Sequence, residues 1–395
     1  MHIRKQYQTI FDRLHEERHF IQIIMGPRQV GKTTLVKQVL ADLDIPWFMF
    51  SADDVPASNR GWVSECWESA RTRMRMENLK ELVLAIDEIQ LIEQWSSVVK
   101  KEWDADTFND VNIKVLLLGS SRVLLEKGLS ESLAGRFEII RMTHWSYGEM
   151  RDVFGFSLEQ YIYFGGYPGG APFVNDEDRW EDYIKSSIID ATINKDILYN
   201  TPISKPALLR QTFELSAAYS GEILSLTKML GSLQDAGNTV TLSGYLQLLD
   251  ESGMVVPLQK YAKDYARRKA SVPKFQVYNN ALKSVYSNTT FHRVMQDRTL
   301  WGRMFESAIG SYIVCQAYIH RFDVYYWREN NCEVDYVISK NGRTVAIEVK
   351  SNSATYNKGL SVFCEHLKPH LFFVVGEGGV KTEDFLKWEL IKLFE

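Results

Sequence analysis

Gly26-Pro27-Arg28-Gln29-Val30-Gly31-Lys32-Thr33 fits the spacing GxxxxGK[ST], and its flanks make it more than a glycine turn. Ile21-Gln22-Ile23-Ile24-Met25 before it reads as a short buried strand. Thr34-Leu35-Val36-Lys37-Gln38-Val39-Leu40 after it reads as an amphipathic helix. A glycine-rich turn between a strand and a helix N-terminus offers backbone N–H groups and the positive end of the helix dipole to a phosphate. The expected ATP-binding residues are therefore Gly26 to Thr33 together with Thr34. In this reading Lys32 reaches the β- and γ-phosphates, and the Thr33 hydroxyl takes Mg2+.

Outward from this loop, short apolar runs alternate with helix-length segments between about 20 and 142. The candidate strands are Phe20–Met25, Trp47–Ser51, Leu82–Ile86, Ile113–Leu118 and Phe137–Arg141. Such alternation predicts an α/β unit, a parallel sheet with helices on both faces. Leu82-Val83-Leu84-Ala85-Ile86-Asp87-Glu88 ends in two acids, and the carboxyl end of a central strand borders the crevice where such sheets bind ligands. Asp87 is assigned to the magnesium and Glu88 to activation of the attacking water. Ser120 follows the strand Ile113 to Leu118 and is a candidate contact to the γ-phosphate or the water. Arg136, in Ser132-Leu133-Ala134-Gly135-Arg136, is a candidate to neutralise transition-state charge, from the same subunit or across an interface.

The composition sets bounds. A chain of 395 residues is long for one core. Its 45% apolar and 24% charged residues are ordinary for a globular protein. A formal net charge of -4 gives no general attraction to nucleic acid, so any such contact needs a local patch. Cys66, Cys315, Cys332 and Cys364 have no metal-binding spacing and read as thiols of a reducing compartment. No apolar run approaches the roughly 18 residues of a membrane span, so a cytoplasmic protein without membrane contact is expected.

The loop, Ile86-Asp87-Glu88-Ile89-Gln90, Gly119-Ser120-Ser121, Ser132-Leu133-Ala134-Gly135-Arg136 and Gly165-Gly166-Tyr167-Pro168 together resemble the prokaryotic AAA+ ATPases whose C-terminal half is a domain of unknown function. The resemblance spans nearly the whole chain. It implies ATP binding, a winged-helix segment after the ATPase core and a restriction-endonuclease-like terminal domain. The corresponding division is 1–155, 156–295 and 296–395.

The middle segment supports part of this on its own. Pro206 to Ala218, Ser225 to Leu233 and Thr239 to Glu251 read as helices and Met254 to Leu258 as a strand, the order of a winged helix. The third helix carries no lysine or arginine, unlike a helix that reads DNA. Basic charge lies instead at Lys260, Lys263, Arg267, Arg268, Lys269 and Lys274, where DNA backbone contact is one reading and a protein-contact or lid role the stronger one.

Near the C-terminus, Asn341-Gly342 signals a two-residue hairpin turn. Pairing outward from Lys340 with Arg343 brings Asp335 opposite Glu348. One face then carries Val334, Tyr336, Ile338, Val345, Ile347 and Val349, and the other Glu333, Asp335, Glu348 and Lys350. Opposed like charges repel, and a shared divalent cation would relieve them. Asp335 followed by Glu348-Val349-Lys350 resembles the PD-(D/E)xK nucleases. By that resemblance Asp335 and Glu348 would hold Mg2+, Lys350 would position hydroxide, and Glu306 would assist.

The leading expectation is a magnesium-dependent ATPase that acts as a nucleotide-driven switch on its later domains. The alternatives are an ATP-regulated DNA nuclease and a nucleotide-binding interaction module with negligible turnover. DNA, a protein partner and further copies of the chain are the candidate partners.

Overall fold

A computed structural model describes residues 2–120, 132–199, 201–233, 237–262, 264, 271–352 and 358–395. The chain divides into two compact units, Met1–Met142 and Thr143–Glu395.

The first unit is built on β1 (Ile21–Met25), β2 (Trp47–Ser51), β3 (Leu82–Asp87), β4 (Ile113–Gly119) and β5 (Phe137–Arg141). Their order across the sheet is β2-β3-β4-β1-β5, and every neighbouring pair is parallel. Every residue of β1, β3 and β4 is buried. Continuous apolar strands are what a parallel sheet covered on both faces requires.

Period-two alternation divides these side chains between two cores. Ile21, Ile23, Met25, Leu84 and Ile86 pack with Trp67, Trp95 and Trp103 of the helices Gly61–Glu77 and Trp95–Phe108. Ile24, Val83, Ala85, Leu116 and Leu118 pack on the other face with Ile10, Leu35, Val36 and Val39 of Gln6–His15 and Lys32–Asp42.

In the second unit the helices Pro206–Ala218, Leu226–Ser232 and Thr239–Glu251 precede β6 (Val255–Lys260) and β7 (Lys274–Val277), an antiparallel pair. Ser225 caps the second helix by accepting the Lys228 N–H at 3.2 Å. The helix Arg298–His320 leads into β8 (Asp323–Glu329), β9 (Cys332–Lys340) and β10 (Arg343–Lys350), then the helix Lys358–Leu367 and β11 (Leu371–Gly376).

All six strands form one sheet, ordered β11-β10-β9-β8-β6-β7. The join is made by β6 and β8, parallel, with Gln259 opposite Tyr325 and Lys260 opposite Tyr326. β6 offers β7 one edge, and β8 pairs with the Gln259–Lys260 end of its other edge. The segments 156–295 and 296–395 therefore share a sheet, and one apolar core contains Phe213, Leu246, Phe275, Ile309, Tyr336 and Ile347 from both.

The terminal hairpin has the register the turn implies, with Arg343 opposite Lys340, Val345 opposite Ile338 and Ile347 opposite Tyr336. Asn341 and Gly342 both have positive φ, 51° and 81°, as a tight two-residue turn requires. The expected apolar stripe holds except at Val334. Tyr325 pairs with Val337 but Trp327 with Val334, so β9 carries one extra residue there. That bulge turns Val334 to the opposite face, where it packs with Trp327, Val337, Ala346 and Phe363.

Gly310, inside Arg298–His320, faces side chains of the sheet at close range. A Cβ there would sit 2.1 Å from Gln276 Oε1 and 2.2 Å from Tyr336 Oη. Gly310→Ala is expected to cost about 1–3 kcal/mol in overpacking. At most about 1 kcal/mol of helix propensity returns. A urea midpoint that does not fall would show that no such contact exists. No helix among the described residues is long and apolar enough to cross a membrane.

Candidate functional site

Three adjacent strand ends of the first unit carry the site. Gly26 follows β1, Asp87 ends β3, and Ser120 follows β4, which lies between the other two. Gly31, at φ 92°, is the N-cap of the 11-residue helix Lys32–Asp42, and Gln29 has φ 60°. Gly26 cannot be larger, because a Cβ would lie 2.5 Å from the Met142 carbonyl oxygen. Arg4, buried, donates from Nη1 to the Val30 carbonyl at 2.9 Å and fixes the outer side of the loop.

The Lys32 ammonium is buried and donates to the Gly26 carbonyl at 2.9 Å and the Pro27 carbonyl at 2.8 Å. Thr33 donates from Oγ1 to Asp87 Oδ2 at 2.6 Å. Glu88 takes a left-handed backbone, φ 51°, and its Oε2 accepts from Ser120 Oγ at 2.9 Å, from Ser120 N–H at 3.3 Å and from the Gln90 amide.

The two neighbouring acids differ in electrostatics. Burial raises the Asp87 pKa above the usual carboxylate value, and the nearby Glu88 charge adds to this. The Thr33 hydrogen bond and the Lys32 charge oppose it. Burial also works against the Glu88 charge, but Lys32, Gln90 and Ser120 outweigh it and leave Glu88 below its usual value. Glu88 is thus the more firmly ionised of the pair. The touching oxygens of Thr33 and Asp87, both hard donors, fit Mg2+.

Gln90 and Arg4 are contributions the sequence reading did not assign. Gln90 lies two residues beyond Glu88 within the quoted acidic segment, and that position was its available signal.

Arg136 is at the other rim of the sheet. Its carbonyl accepts the Ile21 N–H at 2.8 Å, so it sits beside the start of β1, while the loop follows the end. Five residues of β1 at about 3.3 Å each separate the two levels by roughly 16 Å. Arg136 Nε and Nη2 donate to the Asp104 carboxylate at 2.8 and 3.1 Å. The same-subunit role expected for Arg136 does not fit this placement. Ser121 lies outside the described residues.

In the second unit the four residues of the nuclease-like pattern come together around an unexpected fifth. Lys274, at the start of β7, is 0% exposed. Its ammonium donates to Glu306 Oε1 at 2.6 Å and to the Asp335 carbonyl at 3.3 Å, and lies 3.8 Å from Asp335 Oδ1. Asp335 Oδ2 accepts the Val349 N–H at 2.8 Å, and Lys350 pairs with Glu348 Oε1 at 2.7 Å. Among the described residues no three acidic, histidine or cysteine side chains are placed to hold a metal. The divalent ion that the nuclease resemblance implies does not fit this arrangement.

The expected basic surface is also altered. Lys274 is internal and Lys260 half-buried, while Lys263, Arg267, Arg268 and Lys269 lie outside the described residues. The open groove beside Lys350 carries Lys381 but also Glu159, Glu377, Glu383 and Asp384, an acidic balance that opposes a phosphate backbone.

Burial, then the Glu306 charge, raises the Asp335 pKa well above the carboxylate range; Lys274 opposes this and Glu348 adds to it. A carboxyl whose pKa is higher folded than unfolded stabilises below its unfolded value and loses that contribution as pH rises through the folded one. Stability of the second unit should therefore decline as pH rises from the ordinary carboxylate range. Asp335→Asn should flatten that slope, which hydrogen exchange of β9 and β10 amides against pH would measure; an unchanged slope would show the assignment to be wrong.

Comparison with known proteins gives three matches along the chain: an AAA domain over residues 18–151, a domain of unknown function (DUF8612) over 155–291 and another (DUF4143) over 301–389. An AAA domain followed by domains of unknown function is the arrangement the sequence resemblance implied. An uncharacterized protein of Mycobacterium tuberculosis is 25% identical over 336 residues, 84% of this chain and 70% of its own length. An uncharacterized protein of Methanocaldococcus jannaschii is 19% identical over 369 residues, 88% of this chain and 79% of its own length. Among solved structures, the Aeropyrum pernix ORC2 protein in ADPNP and ADP complexes is 13% identical, covering 74% of this chain and 95% of that one with a TM-score of 0.44. A Thermotoga maritima RuvB variant is 15% identical, covering 65% and 88% with a TM-score of 0.36.

Proposed function

We propose that the chain, whose residues 18–151 match an AAA domain, binds ATP with Mg2+ at the loop Gly26–Thr33 and hydrolyses it. The observation that carries this reading is the Thr33 hydroxyl resting on the Asp87 carboxylate at 2.6 Å beside the loop. Hydroxyl and carboxylate come from segments 54 residues apart, and their meeting beside a helix N-terminus has a ready reason in a shared cation.

In this mechanism the loop N–H groups hold the phosphate oxygens. Lys32 exchanges the Gly26 and Pro27 carbonyls for the β- and γ-phosphates, and Thr33 and Asp87 hold Mg2+. The bound ion supplies positive charge across the phosphate oxygens. Glu88, kept ionised, accepts a proton from the attacking water, and Ser120 and Gln90 hold its carboxylate. Arg136, on the far rim, is available only to a site on a neighbouring copy. The nucleotide state then acts as a switch on the segments that follow.

Calorimetric titration of the full chain with ATP and Mg2+, beside a steady-state phosphate-release assay, tests this. Saturable binding with release is the expected result. Binding without release would leave an interaction module, and the absence of both would overturn the proposal. Metal-dependent cleavage of DNA has no comparable support, given the lysine among the acids and the acidic groove.

A further inference from the structure

We propose that Lys274 is a resident cation that takes the place of a divalent metal among the terminal acids, so that the second unit binds no such metal in its native packing. The proposal is independent of the ATPase reading.

The argument is one of space and charge. A divalent cation held by Glu306, Asp335 and Glu348 would need their oxygens within roughly 2.0–2.6 Å of one point. The Lys274 ammonium stands 2.6 Å from Glu306 Oε1, 3.8 Å from Asp335 Oδ1 and 3.9 Å from Glu333 Oε1. Two cations cannot share that space at close range without strong repulsion.

Two further acid oxygens are committed. Asp335 Oδ2 is held by the Val349 N–H, and Glu348 Oε1 by Lys350. Glu348 Oε2 is buried and without a hydrogen-bond partner. It is the oxygen that a gained metal would take up in a chain lacking the Lys274 ammonium.

The lysine is not on a loose side chain that could swing away. Its residue pairs with Leu258 in the β6–β7 ladder and with Ile223 on the other side. The ammonium lies 4.8 Å from the Tyr336 ring centroid, and the side chain has no exposed surface. A lysine is buried so fully only where opposite charge and hydrogen bonds compensate its lost hydration. Glu306 supplies that charge and the Asp335 carbonyl a further hydrogen bond, so that Lys274 joins β7 to the helix Arg298–His320 and to β9.

Mn2+ uptake by the nucleotide-free full chain, followed by electron paramagnetic resonance, tests this. Wild type and Asp335→Asn should take up Mn2+ equally. Lys274→Met should gain one site per chain, and Lys274→Met with Asp335→Asn should lose it again. Wild-type uptake that Asp335→Asn removes would overturn the proposal, as would a folded Lys274→Met chain without a gained site. If Lys274→Met does not fold, the first comparison decides: equal uptake supports the proposal and lost uptake refutes it.

Discussion

Glu88→Gln should bind ATP and Mg2+ as the wild-type chain does and release phosphate more slowly by a factor on the order of 10²–10⁴. The substitution keeps the shape of the side chain and leaves an amide oxygen to accept from Ser120 Oγ, which now lies 2.9 Å from the carboxylate. What it removes is the charge that Lys32, Gln90 and Ser120 keep in place despite burial. Without that charge the water loses its proton acceptor. The fall should appear in kcat with little rise in KM, the pattern of an interaction made only on the way to the transition state. An unchanged kcat would remove Glu88 from the chemistry.

Lys32→Ala should weaken ATP binding on the order of a hundredfold or more. Hydrogen bonds from a charged donor contribute about 1.5–3 kcal/mol each, and about 1.4 kcal/mol is tenfold in affinity. The same substitution leaves the Gly26 and Pro27 carbonyls without the partner that holds them at 2.9 and 2.8 Å. The nucleotide-free loop should therefore loosen as well, seen as faster amide exchange from Gly26 to Thr33. Calorimetry giving an affinity within threefold of wild type would show that this lysine does not serve the phosphates.

The first unit was legible because its signals are local. β1, β3 and β4 are buried along their whole length and read as mainly apolar runs, with Gln22, Asp87 and Lys114 as the polar members, and the loop spacing names the helix terminus beside them. The β9–β10 register followed from Asn341-Gly342 because a two-residue turn leaves no freedom in pairing.

The unread features depend on contacts distant in the chain. Nothing in Gln259 or Lys260 announces pairing with Tyr325 and Tyr326. Lys274-Phe275-Gln276-Val277 alternates like a half-exposed strand, yet every residue is buried once Arg298–His320 covers it. The Val334 reversal needs one inserted residue that alternation alone does not reveal. Arg136 looked close to the loop because motif order says nothing about which rim of a sheet a residue occupies.

The β6–β8 join has a consequence for modularity. A cut near residue 295 would leave both fragments with a raw strand edge and a split core, so neither half should behave as a transferable cassette. Shuffling of the terminal part between unrelated chains is thereby discouraged, and in this architecture the two segments must be inherited, expressed and engineered together.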